Sequence, residues 1–159
     1  MKKFVFILTV IFFAMVGTSS TLYKPPSAPS PMSIRDPCVN WSIYEMAQEA
    51  TGVPASIIRG IAWAESKERD GIKHHDPLDK ERFGIRESYH AERAKKYGSY
   101  DYKNPHDTAY LTARIFVDNY NRLKSIDAAI AAHNQGVNGV RKYGIDYSYV
   151  NRVKEGMNR

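Results

Sequence analysis

The stretch Ile57-Ile58-Arg59-Gly60-Ile61-Ala62-Trp63-Ala64-Glu65-Ser66 decides how this chain reads. Pro54 precedes it, where a first helical turn tolerates proline because the missing N–H would have no intrahelical partner anyway. Ile58, Ile61, Ala62 and Glu65 recur at i, i+3, i+4 and i+7. One face of the helix is therefore apolar and carries a carboxylate at its end. Asp and Glu are seldom fully buried without a partner. Glu65 thus reads in two ways: a helix-end side chain that reaches solvent, or a buried acid. In the second case burial raises a carboxyl pKa and keeps a proton available near neutrality for general-acid work.

Outward from this helix, the signals from Pro37 onward are helical and predict a mainly α fold. Asp36-Pro37 opens a first helix through Tyr44 to Ala50, stopped by Gly52. Residues 67–87 are polar, hold Gly71, Pro77 and Gly84, and read as a long ordered loop. Ser88 is placed to cap a short helix ending at Gly98. A long helix is expected from Pro105 to Leu123, with Ala109, Ala113, Phe116 and Tyr120 along one face. Ser125 caps a helix from Ile126 to His133, stopped near Gly136, and short helices follow over 137–143 and 147–157. No run alternates at period two long enough to predict a strand.

The N-terminus has a different character. Lys2 and Lys3 precede an apolar run from Phe4 to Val16, and Gly17-Thr18-Ser19-Ser20 follows. Residues 1–20 therefore read as an export signal. The run is shorter than the roughly 20 residues of a comfortable membrane span, although an uncleaved anchor is the competing reading. Residues 21–36 alternate Pro25, Pro26, Pro29 and Pro31 with Ser, Ala and Lys, the composition of an extended linker. The domain proper is then 37–159.

Composition is that of an ordinary globular domain: 43% hydrophobic, 25% charged. The 11 Tyr and 2 Trp suit a core, and they suit a carbohydrate cleft whose flat rings pack on sugar faces. The formal charge is +6, or +4 without Lys2 and Lys3, and it is scattered in both signs. This favours mild attraction to an acidic polymer rather than a nucleic-acid footprint. Cys38 is the single cysteine, so no intramolecular disulfide forms, and it lacks a lipoprotein context.

Several motifs then occur in order. Ala64-Glu65-Ser66 after the apolar helix resembles the "E-S" signature of the soluble lytic transglycosylase domain family, which has a lysozyme-like fold. Phe83-Gly84-Ile85 lies where that family has "G-L-M-Q", and Asn104-Pro105 opens the next long helix as it does there. Ala131-Ala132-His133-Asn134-Gln135-Gly136 resembles "A-A-Y-N-A-G". Tyr149-Val150 with Val153 resembles the closing "Y-V-x-x-V". The likeness spans roughly residues 40–157.

The resemblance implies a lysozyme-like single helical domain that cleaves peptidoglycan between N-acetylmuramic acid and N-acetylglucosamine, as a lyase. Glu65 is then the sole acid/base. It protonates the glycosidic oxygen and next takes the proton of the sugar's own 6-hydroxyl, closing a 1,6-anhydro ring. No water is consumed, unlike the two-carboxylate scheme of most glycosidases. Tyr149 inherits the role of orienting the carboxyl. Substrate-binding roles fall to Ser66, Gly84, Ile85, His133 and Asn134, and to Glu87 at the family's Gln position.

The departures open other readings. Arg86 and Glu87 replace Met and Gln, Asp79-Lys80-Glu81-Arg82 is a charged run, and His133 stands for Tyr. Arg86 and Glu87 either pair with each other or with solvent, or Glu87 faces the cleft as a second carboxylate. In the latter case, or with Asp79 in that role, the enzyme is a hydrolysing muramidase. A third reading is a wall-binding module without catalysis. Glu68 and Asp70 are assigned to solvent. His74-His75-Asp76 lacks the spaced partner of a zinc site, so no metal is expected. No cofactor is expected, for no phosphate loop or dinucleotide fingerprint is present. The expected partners are peptidoglycan glycan strands and an envelope secretion or motility machine, with no nucleic acid. The expected protein is a monomer in the periplasm or cell envelope.

Overall fold

The computed structural model describes residues 42–159 apart from Asp76. The segments read as an export signal and a linker, Cys38 and the expected opening of the first helix at Asp36-Pro37 lie outside the described residues.

Helix α1 (Ile43–Thr51) is fixed at both ends by its sequence. Ser42 and Glu45 form a reciprocal capping box, with Ser42 N–H donating to Glu45 Oε2 at 2.8 Å. Gly52 closes the helix in the left-handed region at φ 74°. Helix α2 (Ala55–Ser66) enters from Pro54 and is turned off at Lys67, also left-handed at φ 55°. Its apolar face behaves as its spacing predicts: Ile58, Ile61 and Ala62 are fully buried.

Over 67–87 the chain is more than the long ordered loop that its composition predicts. It makes a two-residue antiparallel ladder, β1 (Asp79–Lys80) with β2 (Ile85–Arg86), in the register Asp79 to Arg86 and Lys80 to Ile85. Two-residue strands are too short to register as an alternation. Burial of Phe83 and Ile85 pins this hairpin to the core. A 3-10 turn over Glu87–Tyr89 follows, and α3 (His90–Tyr97) starts only at His90, without a side-chain cap. Ser88 therefore lies in the turn and not at the helix cap expected of it.

Helices α4 (Pro105–Leu123), α5 (Ile126–Tyr143) and α6 (Tyr147–Met157) complete the fold. Asn104, Ser125 and Asp146 each accept a backbone N–H at their start. The helix break expected at Gly136 is present: at φ 70° and ψ 159° this residue is not helical, so α5 is two helices that meet there at a kink. Ala109, Ala113 and Phe116 of α4 are buried. The molecule is mainly α among the described residues. None of its described helices is long and apolar enough to cross a membrane.

The closest helix pair, α2 on α6, positions the site. A Cβ on Gly60 would lie 2.5 Å from the Val153 carbonyl oxygen, and one on Gly156 would lie 2.4 Å from Trp63 Cβ. The two glycines let the backbones approach until Val150 and Val153, both fully buried, fill the seam.

Candidate active site

Glu65 sits in the last turn of α2 and Tyr149 in the first turn of α6. The α2–α6 packing brings them together across 84 positions: the Tyr149 hydroxyl donates to Glu65 Oε1 at 2.6 Å. Tyr149 is 1% exposed. Burial pushes its pKa well above the ordinary phenol value, and the Glu65 charge and hydrogen bond push the same way. The phenol therefore remains a proton donor to Glu65 throughout the physiological range. Glu65 itself is half-buried rather than sealed in the core, so it combines the two sequence readings. Its stem follows the apolar stripe and its carboxyl reaches a cleft.

Gly84 defines the other side of the carboxyl. It lies in the turn joining β1 to β2 at φ 58°, and a Cβ there would sit 2.6 Å from Glu65 Oε2. The position needs glycine twice over, for its backbone and for the approach of the carboxylate. With Oε1 accepting from Tyr149, Oε2 is the oxygen left to carry a transferable proton.

His133, near the bend of α5, closes the arrangement. Its Nε2 lies 3.2 Å from the Phe83 carbonyl oxygen. A carbonyl only accepts, so Nε2 carries the hydrogen and Nδ1 is an acceptor, buried and without a partner. Burial lowers the pKa of this imidazole, outweighing the opposite pull of the Glu65 charge, and favours the neutral ring.

Glu65, Gly84 and His133 wall a cleft of about 480 Å³ that also includes Ile85, Asn134, Asp79 and Arg86. Of the residues singled out in the sequence, Glu65, Gly84, Ile85, His133 and Asn134 meet in this cleft, and Tyr149 supports it from beneath through Glu65. Two do not reach it. Ser66 is 2% exposed, its hydroxyl donating to Ala62 O at 3.0 Å and accepting from Arg69 N–H at 3.1 Å. It finishes the helix and is not positioned to bind a substrate. Glu87 is exposed, outside the cleft lining, and pairs with Lys80 at 3.2 Å. The second carboxylate in the cleft is instead Asp79, held by Arg86 at 3.1 Å. The hairpin register explains the exchange, because it sets Asp79 opposite Arg86.

The loop charges assigned to solvent have partners as well. Glu68 accepts from Arg59 Nε at 2.9 Å, and Asp70 takes a two-pronged contact from Arg82 at 2.9 and 2.7 Å. Arg82 also donates to the Tyr44 hydroxyl at 3.0 Å. His74 faces the Glu81 carbonyl oxygen, and among the described residues no three His, Cys, Asp or Glu groups are gathered for a metal.

Sequence reasoning missed Arg93 and Arg122 in the cleft wall, and Gln135. Gln135 lies beside the recognised Asn134, and its amide ties the α5–α6 connection to Asp146 N–H at 3.0 Å and Gly144 O at 3.3 Å. The arginines stand on polar helix surfaces with no local signal, and only the packing of α3 and α4 turns them to the cleft.

The chain matches no protein-family model and no curated protein. Its function therefore rests on its residues and their geometry.

Proposed function

We propose that this protein is an exported lytic transglycosylase of lysozyme-like fold, cleaving peptidoglycan between N-acetylmuramic acid and N-acetylglucosamine. One observation carries the reading: segments separated by most of the chain converge on a single carboxylate. Tyr149 holds Oε1 of Glu65 at 2.6 Å, and Gly84 opens the space beside Oε2. In the proposed reaction, protonated Glu65 gives its proton to the glycosidic oxygen as the bond to the anomeric carbon breaks. The carboxylate then removes the proton of the same sugar's 6-hydroxyl, whose oxygen bonds to the anomeric carbon. One proton leaves Glu65 and one returns, and no water enters. Tyr149 keeps the carboxyl in one rotamer through both steps. Asn134, exposed in the cleft lining, offers an amide to the sugar substituents.

Asp79 supports a second reading, a hydrolysing muramidase, since it is a further carboxylate in the same cleft. Its pairing with Arg86 weighs against it as a free base.

Mass spectrometry of muropeptides released from purified peptidoglycan by the full chain separates the readings. Anhydro-ended products that vanish with Glu65→Gln are expected. Reducing-ended products would replace the transglycosylase by the muramidase. Binding without release would leave a wall-binding module.

A further inference from the structure

The cleft continues past its rim. A smaller pocket of about 200 Å³ adjoins it along α3 and shares three wall residues with it: Tyr89, Arg93 and Ile115. Arg93 therefore stands at the junction of the two. Its Nη1 donates to the Arg86 carbonyl oxygen at 3.2 Å, and its guanidinium lies over the Tyr89 ring at 5.5 Å. Tyr89 is half exposed.

The charges around this junction do not balance. Three guanidinia, Arg86, Arg93 and Arg122, face two carboxylates, Glu65 and Asp79, in the cleft wall. Asp79 is taken by Arg86. In the smaller pocket Lys96 is taken by Asp118, and Glu92 makes no ion pair with Arg93. Neither Arg93 nor Arg122 meets a carboxylate among the described residues. Arg93 is half-buried, and its burial lowers its pKa. A partly desolvated guanidinium without an anion is unfavourable unless a ligand supplies one. Its planar fork matches a carboxylate in two parallel hydrogen bonds.

We propose that Arg93, with Tyr89 beside it, forms a subsite that binds a carboxylate carried by the glycan outside the scissile bond. The inference rests on the glycan-cleaving reading above. Two sources supply that chemistry in a peptidoglycan strand: the lactyl ether, whose carboxylate is free when the peptide has been removed, and the acidic groups of the attached peptide. Arg93 is then a specificity residue that takes no part in the proton transfers at Glu65.

The test is binding of three probes to the full chain by calorimetry. They are a neutral N-acetylglucosamine oligomer, glycan strands stripped of peptide, and strands with peptides intact. Arg93→Gln is expected to weaken one or both carboxylate-bearing probes about tenfold and the neutral oligomer less than twofold. Loss confined to stripped strands identifies the lactyl carboxylate, and loss confined to peptide-bearing strands identifies the peptide. Arg93→Lys, which keeps the charge, restores part of the affinity, so a fold defect is told apart. In the unmodified protein, raising salt from about 50 to 500 mM weakens the carboxylated probes and spares the neutral one. Equal losses on all three probes, or affinities insensitive to salt, overturn the subsite. A protein that binds none of the three refutes the glycan reading, and the subsite with it.

Discussion

The two sides of Glu65 are built differently. On one side, α2 and α6 meet through Gly60 and Gly156 with a dry seam of Ile58, Ile61, Val150 and Val153, all fully buried. On the other, the segment from 67 to 104 buries only Phe83 and Ile85 among its hydrophobics, and α3 has no buried residue. That side is held by polar contacts: Arg82 to Asp70, Arg86 to Asp79, and Phe83 O to His133. Packing fixes the carboxylate and its tyrosine, while replaceable ion pairs fix the wall opposite. A site built this way keeps its acid in place while the other wall varies.

The comparison is broken most severely where the two sides meet at the carboxylate. Gly84→Ala sets a methyl against Glu65 Oε2 in a backbone region unfavourable to alanine. A displacement of the acid by about 1 Å lowers turnover on the order of 10²-fold, read as product release from peptidoglycan, with far-ultraviolet circular dichroism unchanged. Tyr149→Phe acts from the packed side. It removes a hydrogen bond to a charged group, worth about 1.5–3 kcal/mol, and kcat is expected to fall about 10–100-fold while KM holds.

Gly60→Ala tests the packing itself. Overfilling the seam costs about 1–3 kcal/mol in urea unfolding. His133 gives a pH signature. Its folded pKa lies below the ordinary 6.5, so its contribution is present above that pH and is lost as the pH falls and the unfolded chain takes the proton. His133→Gln should flatten this acid limb, read from unfolding midpoints across pH. The smallest effect is expected of Arg82→Gln, under about 1 kcal/mol, since Asp70 is half exposed. Amide exchange should quicken over 67–104 in that variant while α2 and α6 remain protected. Equal quickening on both sides would erase the contrast.

The same contrast separates what was readable in sequence from what was not. Helix α4 begins and ends where Asn104-Pro105 and the apolar face to Phe116 place it, and α6 spans the 147–157 expected of it. Caps and 3.6-residue stripes are local signals. The polar side lacks them. The hairpin at Asp79–Arg86 is too short to show a period, and Ser88 and Glu87 were assigned roles that the local turn does not give them. Arg93 and Arg122 acquire their position from helices that approach the cleft from elsewhere.

The sequence by itself determined the mainly helical class, most helix limits and the carboxylate at the end of an apolar stripe, because each depends on neighbours within a turn or two. The motif resemblance had already paired Tyr149 with Glu65, and the structure supplies their 2.6 Å contact; the tertiary structure alone decided that Gly84 must be glycine and that Asp79 rather than Glu87 enters the cleft. Those outcomes depend on how closely two helices pack and on the register of a four-residue ladder. Such distances are set by contacts between residues far apart in the chain, which no local pattern encodes.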